Sequence, residues 1–233
     1  MTRHPLQQAE YLLTVANDEQ LPHPGPPEIA FAGRSNAGKS TAINVLANRT
    51  RLAFASKTPG RTQQINFFRL RSGALLADLP GYGYAAVPPA LKRHWQGFLG
   101  RYVATRQSLV GLVLIVDARH GLAALDVDLL RGFLASGRPV LLLATKMDKL
   151  TTTRQREAEE DIRRALAAAF PAQAGEVTIV PFSATRRMGV EAAEAALGAW
   201  LGDATEEVPA APPKEKAPRT RGVPRGPKHP SRG

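Results

Sequence analysis

The sequence predicts an α/β fold: a mostly parallel six-stranded sheet with one antiparallel edge strand and helices on both faces. Three observations point there. Short apolar runs alternate along the chain with longer stretches of helical period. The runs are continuously apolar, as strands covered on both faces are. One neighbouring pair is joined by a turn too short for a parallel crossover, so that pair is antiparallel.

The elements follow in order. Met1 to Pro27 is mostly polar and closes in Leu21-Pro22-His23-Pro24-Gly25-Pro26-Pro27, a boundary signal. Within it Tyr11, Leu12, Leu13 and Val15 suit either a short docked strand or one helical turn. Ile29 to Ala32 reads as the first buried strand and Lys39 to Ala47 as the first helix. Ile65 to Leu70 and Ala74 to Ala77 are two strands around the turn Arg71-Ser72-Gly73. Leu112 to Val116, Val140 to Ala144 and Val177 to Val180 complete the six. Helices are expected at Leu91 to Thr105, Leu125 to Ala135, Arg154 to Ala169 and Val190 to Trp200. The expected organisation is an N-terminal extension at 1–27, a folded domain at 28–201 and a tail at 202–233.

Composition narrows the chemistry. The 233 residues are 43% hydrophobic, enough for a sizeable core. There is no Cys, which excludes disulfides, thiolate metal sites and a cysteine nucleophile. The longest apolar run, near Leu109 to Val116, ends at Asp117 and is too short to cross a bilayer. No apolar leader segment is found at the N-terminus, so a cytoplasmic protein is expected. The net charge of +11 favours a polyanionic partner. Val208 to Gly233 carries +6 of it, with seven of the 19 prolines and no Leu, Ile or Phe. Such a segment buries too little to offset ordering entropy and is expected to be disordered. It reads equally as a phosphate-scanning tether or a solubilising tail.

Gly33-Arg34-Ser35-Asn36-Ala37-Gly38-Lys39-Ser40 matches the phosphate-loop pattern, between an expected strand and an expected helix. Its glycines let backbone N–H groups face phosphate oxygens, and the helix N-terminus adds positive potential. Lys39 is placed to reach the β and γ phosphates, and the Ser40 hydroxyl to hold Mg²⁺. Asp78-Leu79-Pro80-Gly81 ends an apolar strand thirty-nine residues beyond Lys39. Asp78 there suits the Mg²⁺ shell, and Gly81 suits a backbone N–H to the γ-phosphate. Thr145-Lys146-Met147-Asp148 follows another strand. A carboxylate at Asp148 can accept from the ring N–H and exocyclic amine of guanine, donors that adenine lacks there. The Lys146 stem can cover the base or brace the phosphate loop, and Phe182-Ser183-Ala184 can give a backbone N–H to the guanine carbonyl.

These strings, with Ser56-Lys57-Thr58-Pro59-Gly60-Arg61-Thr62-Gln63 and Asp78-Leu79-Pro80-Gly81-Tyr82-Gly83-Tyr84-Ala85, resemble the EngB family of bacterial GTPases over about Ala9 to Leu201. The resemblance implies a Ras-like P-loop GTPase domain, Mg²⁺-dependent GTP binding and hydrolysis to GDP, and a role in assembling the large ribosomal subunit. It also implies a need for the protein in normal cell division and septation. Gly33 to Ser40 are then expected to hold the phosphates, and Gly60, Arg61, Thr62, Gln63 and Gln64 to form the first switch. Thr62 joins Ser40 and Asp78 as a metal ligand, and Lys39, Thr62 and Gly81 are the expected catalytic groups. Thr145 replaces the Asn common in GTPases at large, so one amide fewer ties the loops and a modest nucleotide affinity is expected.

Tyr82 stands where many GTPases carry a water-orienting Gln, so slow hydrolysis by the isolated protein is expected. Asn36 occupies the position at which some related GTPases coordinate K⁺; its other reading is a loop-stabilising residue. The first switch, Arg51 to Gln64, is expected to order on Mg²⁺·GTP, and the second spans Gly81 to Pro89. Lys92, Arg93, His94 and Arg101 follow on a helix that also carries Trp95, Phe98 and Leu99. Its charged face is a candidate for ribosomal RNA. The expected partners are the large-subunit precursor and its RNA, with the protein a monomer. Two alternatives stay open: a nucleotide-gated RNA-binding protein with incidental hydrolysis, and an ATP-dependent kinase, against which Asp148 argues.

Overall fold

The structure, a computed structural model, describes residues 5–53, 64–83 and 89–202, with backbone alone at 89–96. Gly60, Arg61, Thr62 and Gln63, the side chains of Lys92, Arg93, His94 and Trp95, and the tail from 203 lie outside what is described.

Seven strands form one sheet: β1 (Glu10–Val15), β2 (Glu28–Gly33), β3 (Ile65–Arg69), β4 (Leu75–Asp78), β5 (Leu109–Asp117), β6 (Val140–Thr145) and β7 (Val177–Pro181). Their spatial order is β1-β3-β4-β2-β5-β6-β7. From β4 to β7 every pairing is parallel, while β3 is antiparallel to both β1 and β4. The sheet thus has seven strands where six were expected. The one reversed strand, β3, is second from the edge, and β1 covers it. The reason lies in the register, which shifts between Tyr11 and Leu13. That irregularity breaks the period of two, so Leu12 and Leu13 are both half-buried and the sequence leaves strand and turn undecided. Part of the N-terminal extension therefore belongs to the sheet.

Five helices cover the sheet: α1 (Lys39–Leu46), α2 (Pro89–Thr105), α3 (Ala124–Leu134), α4 (Thr152–Ala169) and α5 (Val190–Leu201). The strands sort their side chains by parity. Ala30, Ala32, Phe67, Leu112, Leu114 and Leu142 face Phe98, Tyr102, Leu130, Phe133 and Ile162 of α2, α3 and α4. Ile29, Phe31, Leu76, Val113, Ile115 and Leu141 face Ile43 and Leu46 of α1 and Leu197 of α5. Each fully buried Leu, Ile or Phe contributes about 1.5–3 kcal/mol of transfer free energy. No helix among the described residues is long and apolar enough to cross a membrane.

At the start of β2, Glu28 is fully buried. It accepts from the Tyr102 hydroxyl at 3.0 Å, the Ser108 hydroxyl at 3.0 Å and the Arg106 Nε at 3.0 Å. Burial, and then the Glu28 charge, push the Tyr102 phenol well above its usual range. This satisfied cluster closes the N-terminal edge of the sheet.

Candidate functional site

The opposite, C-terminal edge of the parallel strands carries the loops singled out in the sequence, where open α/β sheets bind ligands. β2 ends at Gly33 and runs through residues 34–38 into α1. A Cβ on Gly33 would lie 2.8 Å from the Ile115 carbonyl oxygen, so β5 passes too closely for any other residue. Gly38, at φ 104°, makes the left-handed turn into the helix. The first intrahelical bond runs from the Ala42 N–H to Gly38 at 2.9 Å, and no side chain caps the helix. The amides of Lys39, Ser40 and Thr41 precede that bond and need acceptors from outside the helix. They form a cradle suited to phosphate oxygens.

Beneath the cradle Lys39 Nζ donates to Asp78 Oδ1, from the end of β4. Both side chains are nearly buried. The described residues hold no cluster of three or more His, Cys, Asp or Glu that could bind a metal alone. A metal here must draw its other ligands from hydroxyl and phosphate oxygens. That donor set fits Mg²⁺, which takes one or two protein ligands plus phosphates and water.

Gly81 sits against the phosphate loop: a Cβ there would be 3.3 Å from the Ser35 N. The next residue bridges to Arg34, with Ser35 N–H donating to the Tyr82 carbonyl at 2.9 Å. The Tyr82 ring turns into the core, where its hydroxyl donates to Asp126 Oδ1 at 2.6 Å. Burial, then the Asp126 charge, raise the Tyr82 phenol well above its usual range. Burial also raises Asp126, whose other oxygen accepts the Ala123 N–H at 2.8 Å at the start of α3.

The loops expected to read the base follow β6 and β7. Thr145 was expected to tie the loops less well than Asn, but its hydroxyl makes the tie. It donates to the Ala37 carbonyl at 2.6 Å and lies 3.1 Å from the Val116 carbonyl. A short β-branched hydroxyl at a strand end reaches carbonyls on either side. Lys146, at φ 61°, sends Nζ to the Asn36 carbonyl at 2.6 Å and pairs with Asp117 at 3.0 Å. Asn36 is itself left-handed at φ 65°, so this contact pins the turn of the phosphate loop. Ser183 donates to Asp148 Oδ1 at 2.7 Å, which holds the carboxylate below its usual range. The N–H groups of Phe182 and Ser183 are used, donating to Ala144 and Met188. The Ala184 N–H has no acceptor among the described residues.

The structure thus brings together the 33–40, 78–81, 145–148 and 182–184 segments. The side chains of Leu79, Met147 and Phe182 point into the core and act as spacers. Gln64 is exposed just before β3. Asp117 escaped the sequence reading, which treated it as a break in an apolar run. It ends β5 and accepts from Arg119 Nε at 3.0 Å. Burial would raise its carboxyl, but the Arg119 and Lys146 contacts outweigh burial and hold it far below the usual range. Its signal was position: a carboxylate ending a strand, as Asp78 does. Asp126 left no such trace.

The family model described as a 50S ribosome-binding GTPase matches residues 28–146, and one described as the elongation factor Tu GTP binding domain matches 96–207. "Probable GTP-binding protein EngB" of Aromatoleum aromaticum is 49% identical over 204 residues, covering 88% of this chain and 93% of the relative. The protein of the same name from Laribacter hongkongensis is 51% identical over 197 residues, covering 84% and 86%. A solved structure described as a probable GTP-binding protein engB superposes with a TM-score of 0.59 at 22% identity, over 75% of this chain and 98% of that one. At that identity the likeness bears on the fold alone.

Proposed function

Because the chain belongs to the EngB family of GTP-binding proteins and is a GTPase, we propose that it is a Mg²⁺-dependent switch in assembly of the large ribosomal subunit. It acts in the cytoplasm as a monomer, and normal cell division and septation depend on it. The observation that supports the switch most directly is the placing of Gly81 against Ser35, which brings the γ-phosphate sensor to the phosphate loop. The ribosomal partner is supported by the matched family and by the net charge of +11.

In this reading residues 33–40 hold the phosphates, with Lys39 moving from Asp78 to the β and γ oxygens. Ser40 and Asp78 hold Mg²⁺, which neutralises charge that develops on the phosphates. Thr62, in the first switch at Gly60 to Gln64, adds a third ligand. Asp78 to Gly81 sense the γ-phosphate, and the Gly81 N–H stabilises the transferring group. Asp148 and the Ala184 N–H read guanine, while Lys146 covers it. The G domain spans 28–201, with β1 of the 1–27 extension added to its sheet, and the basic tail follows at 202–233.

Hydrolysis by the protein alone is slow, since the Tyr82 hydroxyl is committed to Asp126 and orients no water. Asn36, whose φ of 65° and Lys146 contact suit a loop-stabilising residue, is also placed to be a K⁺ ligand, and potassium dependence separates the two. Multiple-turnover GTP hydrolysis in K⁺ is expected to exceed that in Na⁺, with both far below a stimulated GTPase; equal rates in the two salts would remove K⁺ from the site.

The buried Tyr82 also favours a second reading, an RNA-binding protein gated by nucleotide whose hydrolysis is incidental. Single-turnover hydrolysis with immature large-subunit particles separates the two. Acceleration by the particles together with GTP-dependent cosedimentation is expected. Cosedimentation without acceleration favours the second reading, and no cosedimentation in either nucleotide state removes the ribosomal partner from both.

A further inference from the structure

A second cleft, of about 730 Å³, opens between the β1/β3 edge and the loop after α1. Tyr11, Arg49, Arg51, Asn66, Phe68 and Asp78 line it. Among the described residues it meets the nucleotide site only at Asp78. None of the base-reading residues contributes to it.

Its chemistry is specific. Tyr11 is 61% exposed, the only large hydrophobic side chain so exposed among the described residues. It is nonetheless held in place. Its hydroxyl bonds Thr14 Oγ1 at 2.9 Å, and its ring meets Phe68 edge to face at 6.2 Å. A fixed, exposed aromatic ring offers a stacking platform at little entropic cost. Arg49 and Arg51 are exposed, and neither guanidinium has a partner among the described residues. Asn66 Oδ1 accepts from Thr14 at 2.7 Å, which leaves its amide N–H groups for a ligand. Of the two acids on the lining, Asp78 is already paired with Lys39, and the two arginines outweigh Glu10.

We propose that this cleft docks a nucleotide of single-stranded RNA, with its base stacked on Tyr11 and the flanking phosphates on Arg49 and Arg51. A double helix does not fit this arrangement, because its bases are already stacked on each other. The inference rests on the ribosomal reading above and names where RNA would meet this chain. The cleft also borders the switch. The Asn44 side chain accepts from the Leu52 and Ala53 N–H groups at 2.9 and 2.8 Å and donates to the Ala53 carbonyl at 2.9 Å. It thereby fixes one wall of the cleft to α1, the helix that carries Lys39 and Ser40. RNA in the cleft and nucleotide on α1 then bias the same segment, so each changes the affinity for the other by the same factor.

The test uses the full chain and a fluorescein-labelled single-stranded RNA carrying 2-aminopurine, titrated over a range of salt. Wild type is expected to quench the 2-aminopurine and to bind the duplex of the same sequence more weakly. Tyr11→Ala is expected to abolish the quench and weaken binding by about 10-fold, with an unchanged salt slope. Tyr11→Phe should keep the quench. Arg49→Ala with Arg51→Ala should lower the salt slope by about 1.4, at about 0.7 for each lost phosphate contact. Both Tyr11 variants should hold a GTP analogue as wild type does. If wild type binds the RNA and these variants bind it equally well, the cleft is not the site and the ribosomal reading survives. If wild type binds no RNA, the RNA part of that reading falls and this inference falls with it.

Discussion

Lys39→Ala is expected to lower GTP turnover by about 10³-fold, the scale seen when a positioned charge stabiliser is removed from phosphoryl or acyl transfer. Lys39 opens α1 at the phosphate cradle, and its ammonium is nearly buried. Its loss has a second effect that follows from the pairing with Asp78. With no ammonium beside it, the Asp78 carboxylate is left buried without a partner, a situation that costs about 3–5 kcal/mol. The single variant is therefore expected to unfold at lower urea than wild type in the absence of nucleotide. Lys39→Met with Asp78→Asn removes both charges and should recover most of that stability, yet stay inactive. Denaturant titration and phosphate release, measured on the same preparations, separate the two effects. Turnover by Lys39→Ala near the wild-type rate would mean that the cradle is not where GTP is hydrolysed.

Asp148→Asn is expected to move base preference from guanine to xanthine by up to about 10⁴-fold, the range open to sites that hydrogen-bond a polar edge. The Asp148 carboxylate accepts from Ser183 through Oδ1, and its Oδ2 lies 3.5 Å from Lys149. It can thus accept the ring N–H and the exocyclic amine of guanine together. An amide offers one donor in their place, which suits the 2-oxo group of xanthine. Competition binding of GTP and XTP to both proteins measures the shift, and unchanged selectivity would show that the base is read elsewhere. The same carboxylate sets a pH dependence. Ser183 holds its pKa below the usual range, and only the ionised form accepts both donors. Guanine affinity should therefore persist as pH falls through about 3.9, the ordinary Asp value. It should be lost only as pH falls through the lower, folded value.

The loops of the candidate site were legible because each is short and local. A phosphate loop is eight consecutive residues, Gly33 to Ser40, whose glycines and lysine are required by backbone geometry and charge. The strands were legible for a similar reason, since burial on both faces leaves a continuous apolar run. β1 was not, because a register shift removed its alternation and one of its faces is open, with Tyr11 exposed. Asp117 was visible as a residue but not as a partner of Lys146, which lies beyond β6 and meets it only once β5 and β6 pair.

The amino-acid order alone determined the strand-helix alternation, the phosphate-loop pattern, the carboxylate proposed to read guanine and the family resemblance, because these depend on neighbours within a few residues. Only the tertiary structure decided which charges face each other. Lys39 meets Asp78, Tyr82 meets Asp126 and Lys146 meets Asn36 across separations of 39, 44 and 110 residues. Contacts of that kind carry no local pattern. They exist because the parallel sheet brings the ends of distant strands to one edge, where burial leaves each polar group only the partners that the fold supplies.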